Sequence, residues 1–301
     1  MKPRIFAAAL ASLFVSCAAL ADTAYQPFVL ASVNDTGLEE QVEATVDALK
    51  AGGFTIAGQY SPVDGSVVIV ATNETLKKAA AATDSGGYAA GQRVSVTERD
   101  GKTEVAFINP LYIQYAYRVD TDLQPVLENL GKALGNQESF GAEKEMTAKK
   151  LGNYKYMMGM PKFDDHLELG SFNSFEEALA AVEAGLAREG DALSQVYRID
   201  IPGKDQAVFG VGMRATGGSE DEQDIDSAFQ MSIVDFEGPA KVAYFPYEIL
   251  VNGKEVEALH MRFRMAVHFP DLSMMGAHGF TKLMSSPGAT EDALEGMLKP
   301  R

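Results

Sequence analysis

The sequence predicts an α+β protein of two tandem modules, each with amphipathic helices packed on one face of a mainly antiparallel sheet. Three observations predict it. Leu38, Val42, Thr45, Leu49 and Gly53 reappear at one constant offset as Phe175, Leu179, Val182, Leu186 and Gly190. Glu39-Glu40 and Tyr60 return at the same offset as Glu176-Glu177 and Tyr197. Short apolar runs flank Asp100-Gly101 in one half and Asn252-Gly253 in the other, both strong hairpin signals.

The first module opens with a strand over residues 28–33. Asn34 to Thr36 offer capping groups for a helix over 38–50, with Leu38, Val42, Thr45, Val46 and Leu49 on one face. Gly52-Gly53 stops it. Strands are predicted over 54–60 and 67–71, the second an unbroken apolar run as in a central strand. Asn73 caps a short helix over 74–82, and a hairpin joins 92–98 to 103–108. Asn109-Pro110 ends that strand, and 123–134 reads as a closing helix before Gly135. The polar stretch 136–150 has no clear period and reads as part of the connection between modules.

In the second module a strand over 167–172 leads to Ser174, with Glu177 at capping-box spacing. A helix over 175–188, stopped at Gly190, and strands over 194–199 and 207–213 repeat the opening of the first module. An acidic insertion over 217–226 follows, then strand-like runs over 242–245, 247–251 and 255–269. Short helices over 278–284 and 290–298 close the chain. The predicted organisation is a signal peptide at 1–21, a first module at 22–140, a connection at 141–165 and a second, divergent module at 166–301.

The signal peptide rests on Lys2 and Arg4, an apolar run over 5–15 and the small-x-small site Ala19-Leu20-Ala21. The expected product is an exported, periplasmic, soluble protein starting at Asp22. The alternative is a lipoprotein attached through Cys17, after Phe14-Val15-Ser16. No other apolar run is long enough to span a bilayer. Cys17 is the single cysteine, so a chain cut after Ala21 has no disulfide, cysteine-bound zinc or thiol chemistry. A formal net charge of −16 disfavours nucleic acid as a partner.

Several segments of the first module carry a family likeness. They are the helix ending in Gly52-Gly53-Phe54, the run from Val67 into Ala71-Thr72-Asn73-Glu74, Gly86-Gly87-Tyr88 before Arg93-Val94-Ser95-Val96, and Glu98 to Val105 leading to Ile108-Asn109-Pro110. In order and spacing, residues 28–115 resemble the family called domain of unknown function 302. The second module shares the likeness only to about Met213. The resemblance implies a small module with helices on one face of a mainly antiparallel sheet, and no established activity. Members often carry Cys-Asn-Pro where this chain has Thr72-Asn73-Glu74, and a second cysteine near Gly91. A thiol or metal role of those cysteines does not carry over.

Strand alternation over 258–269 sets His260, Arg262, Arg264 and His268 on one face, opposite Met261, Phe263, Met265 and Val267. Guanidinium forks suit carboxylate or phosphate, so this face is the predicted site for an anionic small ligand or a protein partner. Pairing with the chain's own surplus carboxylates is the competing reading. The alternative function is periplasmic handling of cuprous copper through Met157, Met158, Met160, His166, Met274, Met275 and His278, where packing competes. Asp164-Asp165-His166 holds ligand types, but adjacent residues of an extended chain point apart. Tyr112, Tyr115, Tyr117, Tyr154 and Tyr156 suit the surface between modules, as a cleft lining or as plain packing. A hydrolase is the third reading; the chain has no Gly-x-Ser-x-Gly elbow. No catalytic residue and no cofactor is implied.

Overall fold

The computed structural model describes residues 23–218 and 222–299. The predicted signal peptide and Cys17 lie outside the described residues. The first half runs β1 (Phe28–Asn34), α1 (Leu38–Ala51), β2 (Thr55–Tyr60), β3 (Ser66–Thr72), α2 (Glu74–Ala82), a 3-10 turn (Gly86–Ala89), β4 (Gln92–Arg99) and β5 (Lys102–Ile108). It continues with α3 (Pro110–Ala116), α4 (Gln124–Leu134), β6 (Glu138–Phe140) and α5 (Ala148–Gly152). The second half runs β7 (His166–Ser171), α6 (Phe175–Leu186), β8 (Leu193–Asp200), β9 (Gln206–Met213), α7 (Glu222–Ile225), α8 (Ser227–Val234) and a second 3-10 turn (Val242–Tyr244). Then come β10 (Tyr247–Asn252), β11 (Glu255–Leu259), α9 (Met261–His268), a third 3-10 turn (Phe280–Leu283) and α10 (Ser286–Leu298).

The two halves share one strand order. The first sheet is β2-β3-β4-β5-β1-β6, and the second, read from its other edge, is β8-β9-β10-β11-β7. All pairings are antiparallel. Helices α1 and α6 each join the first strand of their half to the second and pack on their own sheet. Helices α3 and α9 each follow the last strand of the hairpin. The correspondence therefore extends past the segment where the sequence likeness ends.

Local chemistry explains the element ends. Ser174 accepts a bond from the Glu177 amide, while the Glu177 carboxylate takes the Asn173 amide at 3.2 Å, so α6 starts on a reciprocal cap. Helix α1 instead starts at Gly37 without a side-chain cap, and Thr36 bonds Gln41 at 2.7 Å. At its end the chain reverses through Gly53, at φ 82°, and the Phe54 amide reaches back to the Leu49 carbonyl.

The halves meet along an extensive seam. Edge strand β2 lies against edge strand β8, and a Cβ on Gly58 would stand 2.1 Å from the Val196 carbonyl oxygen. Both strands carry a register irregularity at this approach. The Gly86–Ala89 turn packs on β9 and β10, and the Val242–Tyr244 turn packs on β3, β4 and β5. Each half thus sets its own short turn on the other half's sheet, as in an isologous dimer. Strand β4 is consequently buried on both faces, including Arg93, Ser95 and Thr97.

Several expectations are corrected. The predicted strand over 255–269 stops at Leu259, and the rest is helix α9. Its Met-Arg-Phe-Arg alternation imitated a strand, but a helix buried on nearly every side has no hydrophobic period to read. The expected strand at 242–245 and helix at 278–284 are 3-10 turns. Helix α3 was not anticipated, although Asn109 caps it and Pro110 opens it. The stretch 136–150 is no plain linker, since β6 extends the first sheet and α5 packs on α3.

Candidate functional site

At the seam lies a cluster of charged and polar side chains shut away from solvent. Arg93 comes from β4 and Glu248 from β10, corresponding strands of the two sheets. Arg93 Nη1 donates to Glu248 Oε2 at 2.9 Å. Tyr197, on β8, donates its hydroxyl to Glu248 Oε1 at 2.7 Å. A Cβ on Gly210 would stand 2.2 Å from the Tyr197 ring, so glycine on β9 makes room for that reach.

Helix α9 supplies Arg264 and His268, one turn apart and both 0% exposed. Arg264 Nη2 donates to the Tyr244 and Pro246 carbonyls at 2.6 Å each and lies 3.7 Å from Glu248 Oε2. Its guanidinium sits 4.2 Å from the Tyr244 ring centre and 5.0 Å from that of Tyr247. His268 Nδ1 stands 2.7 Å from the Arg264 carbonyl, which can only accept, so Nδ1 carries the proton. Nε2 is then free to accept from Arg93 Nη2 at 3.2 Å. Burial, with Arg93 and Arg264 alongside, pushes the His268 pKa well below its usual value, in keeping with the neutral ring this bonding requires.

The cluster does not close on itself. Two guanidinium groups face one carboxylate, leaving one positive charge uncompensated. Arg93 Nε, Arg264 Nε and Nη1, and the Tyr88 hydroxyl are buried without a hydrogen-bond partner, while the Tyr117 and Tyr244 hydroxyls lie beside Arg93 and Arg264. Glu257, the carboxylate beside Tyr88, pairs with His166 at 3.3 Å.

The predicted anion-binding face is therefore corrected. Of its four residues, Arg264 and His268 are brought together inside the protein, unreachable from outside in this conformation. His260 caps α9, its Nδ1 accepting from the Arg262 amide at 3.2 Å, and Arg262 is part-exposed beside it. The sequence reading missed Arg93, Glu248, Tyr88, Tyr197, Tyr244 and Tyr247. The available signal was at Glu248, the lone charge in the mainly apolar run of β10; Arg93 lies in a strand of mixed polarity and gave none.

The copper set is largely dispersed. Met157, Met158 and Met275 are exposed. His166 pairs with Glu257, while His278 stacks on Phe236 at 4.1 Å. Met160 and Met274 do share a pocket of about 20 Å³, together with Met265 and Arg262. Asp164, Asp165 and His166 turn to Arg118, the Lys162 amide and Glu257 in that order. Among the described residues no three His, Cys, Asp or Glu side chains gather as a metal site. The tyrosines largely pack the seam: Tyr112 and Tyr154 donate to the α9 carbonyls of Val267 and Ala266, and Tyr117 stacks on Phe163 at 5.3 Å.

A second feature is an open groove of about 430 Å³ built by both halves. The end of β6, the chain after α8 and the segment after α9 line it. Within it Phe236 is 50% and Met275 72% exposed. None of the four histidines bonds a serine, threonine or cysteine side chain among the described residues. No helix among them is long and apolar enough to cross a membrane. No protein-family model, curated protein or solved structure matches the chain.

Proposed function

We propose that the chain is an exported, non-catalytic binding protein that engages a partner protein at the groove beside Phe236. One observation carries the reading: both halves build a single groove that leaves two large apolar side chains, Phe236 and Met275, in water. The groove runs beside β6, which ends the first sheet and suits an added extended segment. Glu143 and Glu237 rim it, while Asp271 is paired with Lys144 at 3.7 Å and Lys241 with Asp235 at 3.6 Å. That rim disfavours the small anionic ligand of the sequence reading and favours a segment carrying Lys or Arg beside apolar residues. Export rests on the basic, apolar and small-residue pattern of residues 1–21. Tandem duplication and kinship with the domain of unknown function 302 family are part of the same proposal. They rest on the repeated positions and on the motifs of residues 28–115.

A photo-crosslinking residue at position 236, with position 50 as control, tests it in the exported fraction. A discrete adduct at 236, absent at 50 and lost on Met275→Glu, supports the groove. The same products at both positions would refute it. Mass spectrometry of the mature N-terminus tests export: Asp22 is expected, a lipid-modified Cys17 would establish the anchored form, and an intact Met1 would defeat both.

The copper reading keeps one favourable observation, the pocket shared by Met160, Met265 and Met274. Thermal unfolding with cuprous ion decides it. A rise in melting temperature abolished by Met274→Leu would support this reading over the first.

A further inference from the structure

We propose that the seam between the two sheets holds a small monovalent anion of halide size, bound by Arg93, Arg264 and the surrounding tyrosine hydroxyls. This inference stands apart from the groove reading and survives or falls without it.

Buried polar atoms in folded proteins are almost always hydrogen-bonded, so several orphans in one place call for an occupant. Arg93 Nε, Arg264 Nε and Arg264 Nη1 are all N–H groups, which donate and cannot accept. Arg264 lies over the Tyr244 ring, and the charges of both arginines act on the Tyr117 and Tyr244 hydroxyls. The orphans thus belong to one neighbourhood.

Water is the obvious rival. A water molecule can accept from two donors, but it must also place its own two protons. The charged and ring acceptors are taken, Glu248 by Tyr197 and Arg93 and His268 Nε2 by Arg93, so only neutral tyrosine oxygens remain for the protons of a water. Water also leaves the surplus positive charge where it is. An anion accepts from several donors, needs no acceptor and removes that charge.

The protein does not supply the missing charge itself. Tyr117, which feels the charges of both arginines, has its pKa pushed up to about 12 by burial despite them. It is a neutral donor at ordinary pH, as are Tyr88 and Tyr197, which burial also raises. His268 is neutral by its bonding. A single residual charge selects a monovalent ion, since a divalent one would overshoot it. The shielding of every contributing side chain selects a small one.

The test uses bromide, whose anomalous scattering identifies it. The mature chain is unfolded in urea and refolded in bromide, so that a shielded site is free to load, then crystallised. The expected result is an anomalous peak within hydrogen-bond distance of Arg264 Nε. In solution, chloride or bromide should raise the melting temperature relative to gluconate at equal ionic strength, in a saturable way. Tyr117→Phe removes one donor and keeps the ring, so half-saturation should move to about tenfold higher halide. Electron density at Arg264 that refines as water without an anomalous peak would overturn the proposal. So would identical melting temperatures in bromide and gluconate.

Discussion

Arg93 and Glu248 stand on corresponding strands of the two sheets and meet across the seam at 2.9 Å. Arg93 turns to Glu248 and His268 of the other half, while Glu248 is also held within its own half by the Tyr197 hydroxyl at 2.7 Å. Arg264 approaches the same carboxylate at 3.7 Å, so the contact is a triad with two cations. Breaking a buried pair is expensive chiefly because it strands a charge. The cost of each substitution therefore depends on which charges remain.

Glu248→Gln leaves two buried guanidinium groups facing each other and should cost about 3–5 kcal/mol. Arg93→Met leaves Arg264 opposite Glu248, a balanced pair, and should cost less. Urea unfolding of the two variants measures the difference. Equal losses would mean that the surplus charge is not felt.

Much of the fold was legible. The repeated positions around α1 and α6, the Asp100-Gly101 and Asn252-Gly253 hairpins and the Ser174 cap all carry local signals, and the structure has helices and turns there. Helix α9 was not legible, because Met261, Phe263, Met265 and Val267 alternate with polar residues and the helix is buried nearly all round. The parallel with Asn109, which caps α3 after the corresponding strand, was the clue to it. The site was half legible. Arg264 and His268 were singled out on an open strand face, whereas they lie buried on a helix. Arg93 and Glu248, 155 positions apart, give no local hint that they meet.

Acid should weaken the protein through His268. Arg93, Arg264 and the Tyr117, Tyr244 and Phe28 rings surround it. Its folded pKa is depressed, so the unfolded chain takes up the proton first. The stability it contributes is complete above about pH 6.5 and is lost as pH falls through the folded value, at up to about 1.4 kcal/mol per pH unit. His260 is shifted the same way, by burial and by Arg262, so the wild-type slope contains both. His268→Gln should flatten the slope of unfolding free energy between pH 6.5 and about pH 5. An unchanged slope would show that His268 is not the group being protonated.

Two glycines make a contrasting pair. Gly210→Ala forces a Cβ to within 2.2 Å of the Tyr197 ring and should cost about 1–3 kcal/mol by displacing it from Glu248. Gly288 lies exposed in α10 with nothing within 4 Å of an added Cβ. Gly288→Ala should stabilise by about 0.5–1 kcal/mol through helix propensity. Thermal unfolding of both checks the seam geometry, which fails if Gly210→Ala is as benign as Gly288→Ala.

Helix α9 offers a test by neighbours. Phe263 is buried against Tyr117, Tyr154 and Phe163, and Phe263→Ala should cost about 3–5 kcal/mol. Arg262 is part-exposed, and Arg262→Ala should cost about 0–1 kcal/mol. Arg264→Ala should resemble Phe263→Ala rather than Arg262→Ala, because it strips the bonds to Tyr244 and Pro246. Guanidinium unfolding orders the three, and an Arg264→Ala as mild as Arg262→Ala would place Arg264 at the surface.

The central claim is that the halves are joined by a polar contact between corresponding strands, and a double-mutant cycle on Arg93→Met and Glu248→Gln tests it most directly. The coupling free energy from urea unfolding should fall between about 0.5 and 3 kcal/mol, with the double variant more stable than the two single losses sum to. Losses that add to within about 0.3–0.5 kcal/mol would mean that the two side chains do not meet, and would contradict the seam as described.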